Sequence, residues 1–316
     1  MHPALSVILF TTVAGAGYGL LGLLCGLGAT GWLPPAWWLG VIAFTLGFAA
    51  VVFGLVASTF HLGHPGRAWR AFFYWRSSWL SREGVLALLT LVPAALFALA
   101  WLRQDNLTLV PARWYGLGAA LLAILTVFAT AMIYASLKPV RAWRSIWVVP
   151  SYLLLAAMTG GLWLAVLVHG FDLAQLWQSE VLLMAIVASF IVKSLHWLRV
   201  TRGRSRTTPE SATGLGILGK VHSFEHPHTE ENYLMREMGF RIARKHAGKL
   251  RRIAIAAAFL APAILTVLAA VLPRWPATVC ALLAALAAMA GVLVERWLFF
   301  AEAKHVVTLY YGAKSA

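Results

Sequence analysis

The sequence contains few charged residues for its length. Only 12% of its 316 residues are Asp, Glu, Lys or Arg, whereas 61% are hydrophobic. An average soluble domain has about twice that share of charged residues. Because a soluble fold of this size needs more polar residues to cover its core, the composition excludes an ordinary cytosolic enzyme. It predicts a protein that crosses a membrane several times.

Cysteine is also scarce. The two cysteines, Cys25 and Cys280, both lie inside apolar stretches, and no CxxC motif occurs. An iron–sulfur cluster needs about four thiolate ligands, so we expect none in this chain. Haem b usually needs two axial histidines on facing helices. Apart from His61, only His169 and His196 lie in or near apolar stretches, and they are predicted at opposite membrane faces, so no haem is expected.

Eight stretches are apolar and long enough to cross a hydrocarbon core, which takes about 20 residues. They are predicted near 5–28, 36–60, 84–102, 112–135, 148–169, 174–197, 252–273 and 277–300. The pattern predicts an all-α integral membrane protein in which residues 1–316 form one membrane domain. A polar loop, 200–250, separates spans six and seven and contains a predicted amphipathic helix over about 230–249. No basic segment precedes the first span, so we expect no cleaved signal peptide.

Positive charge is distributed unevenly between the two sides of these spans. The net charge is +15, and 22 of the 26 Lys and Arg residues lie on the side of the loops that follow spans two, four and six. Three lie on the other side. By the positive-inside rule, both termini and the basic loops face the cytoplasm of a bacterial inner membrane. The excess also suits anionic lipid or an acidic partner. Nucleic acid is not expected, because the spans interrupt the basic residues.

The segment between spans two and three contains the residues most suited to chemistry. His61 is predicted to end one helix, Glu83 to open the next, and Arg67 lies between them. A quinone needs polar partners for its two oxygens, a route for two protons and an apolar slot for its tail. A histidine and a glutamate at a membrane interface can supply the partners and the route, and Arg67 can orient Glu83 or bind a quinone oxygen. Alternatively, both residues are favoured by helix dipoles, and the arginine is a topology signal.

The same segment resembles a known family. The motif runs from His61-Leu-Gly through Pro65 and Arg67-Ala to Leu80-Ser-x-Glu83. With the eight spans, it is similar to the membrane anchor subunits of dimethyl sulfoxide reductases and related molybdoenzymes. The resemblance implies a quinone-reactive anchor that is not itself catalytic for the substrate. Its partners would be a molybdopterin catalytic subunit and an iron–sulfur subunit, and His61 and Glu83 would bind ubiquinone or menaquinone.

One feature departs from the respiratory reductases of this family, whose catalytic subunits are exported. Here the side with His61 and Glu83 is the basic one, and therefore the cytoplasmic one. The cytoplasmic sulfite-oxidising branch has this orientation. Two further segments, residues 2–19 and Met132–Pro139, also resemble that branch. The resemblance therefore implies electron exchange between quinone and a cytoplasmic iron–sulfur partner, in sulfite oxidation or, alternatively, in quinol-driven reduction.

Other residues allow two interpretations each. Tyr18 and Tyr134 can bind a quinone oxygen or simply satisfy their hydroxyls locally. Lys193 and His196, in span six, can form a proton path, although snorkelling is the usual behaviour of such a lysine. Glycines at 15, 17 and 19 can admit a quinone ring or a neighbouring helix. Glu295, Arg296 and Glu302 are predicted to form an interfacial ion-pair group.

Two further possibilities are less well supported by the sequence. A secondary transporter would show an internal repeat and charges at the midplane of the membrane, and neither is found. Four histidines of the long loop have no accompanying cysteine, so no metal site is expected there. They are His222, His226, His228 and His246.

Overall fold

The computed structural model describes residues 4–60, 63–202, 207–225, 233–238 and 242–316. Within these ranges the chain is helical, and a single isolated bridge, Val140 with His305, is the only strand-like pairing. Eight helices of the described part are long and apolar enough to cross a membrane, which confirms the predicted fold class. We number them span one to span eight: Leu5–Ala29, Trp37–Thr59, Trp79–Leu102, Ala112–Ala135, Val148–Gly170, Leu176–Arg202, His246–Val271 and Arg274–Ala301.

Span three begins earlier than predicted. Its first residue is Trp79, and the Ser78 side chain caps the helix by accepting a hydrogen bond from the Ser81 backbone nitrogen at 3.4 Å. Hydropathy alone excluded this polar first turn, although a serine cap is a standard start signal. Glu83 therefore does not open the helix, as we predicted, but lies one turn inside it.

The loop between spans six and seven contains several short helices. They cover Pro209–Thr213, Leu215–Ile217 and Tyr233–Met238, and a longer helix, Ile242–Ile255, continues into span seven. The single amphipathic helix predicted over 230–249 is thus two helices in the described part, and residues 230–232 and 239–241 of that prediction lie outside it. Span seven begins before the predicted residue 252 because the amphipathic helix and the apolar span are continuous.

Small residues let the helices approach closely. A Cβ atom placed on Gly19 would overlap the backbone of Ala156 in span five, and one on Gly17 would lie 2.9 Å from Val51 in span two. These two glycines therefore serve helix packing, which was the commoner of the two interpretations. Gly15 differs, because a Cβ there would meet nothing within 4 Å.

Because each span crosses in the direction opposite to the one before it, spans two, four, six and eight all end at the same end of the bundle. The start of span three lies there too, so Glu83 and the basic loops share one end. We call this the basic end.

Candidate functional site

Glu83 is buried between spans three and four. The residue is only 4% exposed, and the hydroxyl of Thr130 donates a hydrogen bond to its Oε1 atom. Thr130 also contacts the carbonyl oxygen of Thr126, one turn earlier in span four, at 3.1 Å. Burying a carboxyl group with only a neutral hydroxyl as its partner costs free energy. Ionisable residues inside spans therefore usually have a function.

Tyr18 lies within electrostatic reach of Glu83 and is buried in span one. It lines a small cavity of about 20 Å³, enclosed by spans one, four, five and eight, to which Thr12, Thr130 and Arg296 also contribute. The hydroxyls of Tyr18 and Thr12 have no hydrogen-bond partner among the described residues. The cavity has polar walls and room for about one water molecule.

An apolar groove continues outward from this cavity. It has a volume of about 160 Å³ between spans one, four and five, and it shares Tyr18, Val127 and Ala156 with the cavity. Its outer wall includes Ile124, which is 54% exposed on the outside of the bundle. The groove therefore leads from the lipid-facing surface to Tyr18. Its small side chains, such as Gly22 and Ala157, leave the space that a planar ring needs.

A second buried polar group lies near the basic end of spans six and eight. We call Lys193, Glu295 and Arg296 the ion group. Lys193 pairs with Glu295, and Nε of Arg296 lies 3.5 Å from Oε2 of Glu295. The exposed fractions of Lys193 and Glu295 are 1% and 0%. The predicted ion pairing of Glu295 with Arg296 is therefore confirmed, but the pair is buried inside the bundle and is not exposed at an interface. Lys193 does not snorkel, because its carboxylate partner also lies inside the bundle.

The remaining residues around the ion group are aromatic. The guanidinium of Arg296 stacks 3.6 Å above the ring of Tyr152, an arrangement that favours a desolvated cation. Tyr134 packs against Tyr152 with ring centroids 5.8 Å apart and against Trp143 at 5.3 Å. Tyr134 is thus part of an aromatic cluster and does not line the small cavity.

Glu302, by contrast, pairs with Arg251 at 2.8 Å and is only partly buried. It is the member of the predicted ion-pair group that stays partly exposed, as an interfacial residue would. His196 is buried one turn after Lys193, and its Nδ1 atom has no partner among the described residues. The proposed proton path through Lys193 and His196 stays a prediction, with Lys193 now engaged by Glu295.

Two other predicted site residues, His61 and Arg67, are not seen in contact with Glu83 for different reasons. His61 lies outside the described residues, two positions after the end of span two at Thr59. Arg67 lies in an exposed helical segment, Pro65–Tyr74, and no ion pair joins it to Glu83 in the described part of the chain. Tyr18 and Glu83 are thus connected through Thr130, which lines the small cavity beside Tyr18 and binds Glu83, whereas Arg67 lies on the surface.

Sequence reasoning missed Thr130 altogether and did not predict that Arg296 lines the small cavity. Thr130 is an ordinary residue of an apolar span, and only the packing of span four against span three reveals its contact with Glu83. Arg296 was predicted to lie at the membrane interface, because it is close to the end of span eight. Its position four residues before Phe300 could have indicated that its side chain points into the bundle, where it lines the small cavity.

Known proteins resemble this chain along nearly its whole length. The family model described as DMSO reductase anchor subunit (DmsC) matches residues 1–312. A curated relative, one of the subunits of the sulfite dehydrogenase of Allochromatium vinosum, is 30% identical over 332 aligned residues, which cover 98% of this chain and 99% of the relative. No solved structure matches the chain.

Proposed function

The chain belongs to the DMSO reductase anchor subunit family, and from this we propose that it exchanges electrons between a membrane quinone and an iron–sulfur subunit during sulfite oxidation. It is a membrane anchor subunit of a molybdoenzyme. Sulfite enters the proposal through the curated relative, which carries sulfite dehydrogenase in its name. In this direction electrons leave the molybdopterin subunit and reach the quinone through the iron–sulfur subunit.

One observation supports the quinone site most strongly: Tyr18 lines both the apolar groove and the small cavity, and Glu83 is bound to Thr130 on the wall of that cavity. The groove volume of about 160 Å³ is sufficient for one quinone ring. The ring fits there with its tail toward lipid and one oxygen toward Tyr18, whose hydroxyl has no other partner among the described residues. The quinone supplies the redox chemistry, since it accepts two electrons and two protons.

Protons reach the groove through the residues behind Tyr18. Glu83 can bind and release a proton, and Thr130 holds the carboxyl in place through its hydroxyl. The small cavity has room for a water that would connect Thr130 with Tyr18. His61, at the end of span two, is proposed to pass protons between Glu83 and the cytoplasm, as the family resemblance implies. The electrons come from the partner, so this chain needs no redox centre of its own.

The basic end is proposed to face the cytoplasm and to hold the iron–sulfur subunit. The support is the charge asymmetry of 22 against three, which exceeds what orientation alone requires. The loop between spans two and three and the segment from Arg199 to Arg252 form the proposed docking face. A periplasm-dependent phosphatase fused after Ala316 should therefore be inactive. Strong phosphatase activity of that fusion would reverse the proposed orientation.

The proton role of Glu83 can be tested with Glu83→Gln, which keeps the size and the hydrogen bond but cannot transfer a proton. Removal of a general acid–base group typically slows a step by about a hundredfold or more. Quinone-coupled turnover per assembled complex should fall by about that factor. Activity with an artificial electron acceptor at the soluble subunits should persist. His61→Leu is expected to act in the same direction.

The matched control is Glu180→Gln, which alters an exposed carboxylate at the opposite end of span six. It should leave both activities unchanged. Normal quinone-coupled turnover in Glu83→Gln, with the complex assembled, would exclude Glu83 from the proton route.

A further inference from the structure

Three buried polar side chains line the small cavity without using all of their hydrogen-bonding atoms. They are Thr12 and Tyr18 of span one and Arg296 of span eight, and their exposed fractions are 2%, 3% and 2%. The two hydroxyls and the Nη1 atom of Arg296 have no partner among the described residues. Buried polar atoms are nearly always hydrogen-bonded. We propose that the small cavity binds one ordered water molecule, which Thr12 and Arg296 position beside Tyr18.

The small cavity is built around a wide turn of span one. Residues Phe10–Ala14 form a single π-helical turn between two α-helical parts, Leu5–Leu9 and Gly15–Ala29. Such turns are frequent at functional sites. Six of the seven residues 10–16 line the cavity, with Val13 as the exception. The wide turn therefore forms one wall of the cavity and includes Thr12.

Thr12 differs from the other threonines of the small cavity. A threonine inside a helix commonly bonds a carbonyl oxygen three or four residues earlier. Thr11, Thr130 and Thr159 each have such a bond to their own span, at 2.9, 3.1 and 2.7 Å. The hydroxyl of Thr12 has none in the described part of the chain. It therefore depends on a partner that is not part of its own helix, which a water in the cavity supplies.

The size and the polarity of the small cavity suit one water molecule. Its volume is about 20 Å³, and one water needs roughly 10–15 Å³. A buried water also needs about two to four polar partners. Thr12, Tyr18 and Arg296 supply three, and Thr130, on the same wall, is available as a fourth. The cavity therefore meets both requirements of a buried water.

Arg296 determines how this water is oriented. A guanidinium only donates hydrogen bonds, so the water accepts from Nη1 and directs its own hydrogens toward the hydroxyl oxygens. The side chain of Arg296 is fixed in place, because Nε lies 3.5 Å from Glu295 and the guanidinium stacks 3.6 Å above the ring of Tyr152. Hydrogen bonds polarise one another in a buried chain, so the cation makes the water a better proton donor. Arg296 is thus a positioning residue that acts through the water.

The ordered water joins the two buried polar groups of the bundle. Thr130, on the cavity wall, donates to Glu83, whereas Arg296 belongs to the ion group. A water held in one place completes a hydrogen-bonded path between Glu83 and Tyr18. Occupancy of the cavity does not depend on the proposed quinone function, whereas the role of the water in turnover rests on it.

Thr12→Val tests the site, because it removes the hydroxyl and nearly keeps the shape of the side chain. In a cryo-EM map of the full complex that resolves ordered water, the wild type should show one water peak in the small cavity, and Thr12→Val should lose it. The kcat of quinone-coupled turnover should fall by about two- to tenfold, the factor that one hydrogen bond supplies. KM should not change, because the water does not bind the quinone tail or ring. Thr12→Ser should restore the peak and the turnover that Thr12→Val loses.

Thr159→Val is the matched control, because Thr159 lines the same cavity but its hydroxyl is bonded to its own span. This variant should keep both the water peak and the turnover. A wild-type map without a water peak, or a Thr12→Val complex that keeps both, would overturn the inference. Equal loss in Thr159→Val would overturn it as well, since packing and not the Thr12 hydroxyl would then hold the water. A Thr12-dependent peak in a complex without quinone-coupled turnover would support the water site and contradict the proposed function.

Discussion

Two buried polar groups at the basic end of the bundle differ in how their charge is compensated. The ion group holds one carboxylate, Glu295, between two cations, and the apolar groove does not reach it among the described residues. Glu83 has a neutral hydroxyl as its partner and lies behind a groove that opens to lipid. The two groups approach each other at the small cavity, which Thr130 and Arg296 both line.

This difference separates a structural from a functional arrangement. A buried carboxylate paired with cations has its charge balanced, and its loss leaves uncompensated charge in the bundle. A buried carboxylate without a cation stabilises nothing by pairing, so its presence needs another explanation, and proton transfer is the usual one inside membranes. We therefore expect changes in the ion group to act on folding and changes near Glu83 to act on quinone chemistry.

The largest expected effect follows from Glu295→Gln. This change leaves Lys193 and Arg296 buried without a carboxylate, and breaking a buried pair in this way typically costs about 3–5 kcal/mol. The variant should assemble poorly and melt at a clearly lower temperature in detergent. Lys193→Met should be milder, because Glu295 keeps Arg296 and the remaining pair is neutral overall.

Thermal melting of the purified chain measures this contrast, with the Glu83→Gln variant as a control that should melt like the wild type. Equal destabilisation by Lys193→Met and Glu295→Gln would show that charge balance is not what the ion group provides. Loss of quinone turnover in a stably folded Lys193→Met variant would instead support the predicted proton path through Lys193 and His196.

A smaller effect is expected from Gly22→Leu, which fills the groove. A Cβ at Gly22 would lie 3.5 Å from Cβ of Ala123, an ordinary contact, so the helices need not move. The rest of the leucine would occupy space that the quinone ring needs and so weaken quinone binding. The KM for quinone should therefore rise by roughly tenfold, since that factor corresponds to about 1.4 kcal/mol.

Gly118→Leu, in span four, is the matched control, because a Cβ there meets nothing within 4 Å and Gly118 does not line the groove. Its KM should be that of the wild type. An unchanged KM in Gly22→Leu would mean that the quinone approaches Glu83 by another route.

Much of the fold could be predicted from the sequence, because each span is a local feature of composition and length. The eight spans and the candidate Glu83 were found in this way. The predicted start of span three was wrong, because hydropathy overlooks a polar first turn. Ser78 caps that turn. With the helix beginning at Trp79, Glu83 lies one turn inside the span, where it is buried.

The partners of these residues could not be predicted, because they lie on other spans. Glu83 and Thr130 are 47 residues apart, and no local pattern relates them. Lys193 was expected to snorkel, since a lone lysine near a span end usually does, yet Glu295 of span eight meets it inside the bundle.

The most direct test of the central claim is photolabelling of the intact complex with a quinone that carries an azido group on its ring. Labelled peptides are identified by mass spectrometry after digestion. The account predicts labels in spans one, four and five around Tyr18, Ile124 and Leu153, and their loss when excess unmodified quinone competes. Competed labels confined to spans six and seven, with those three spans unlabelled, would contradict it.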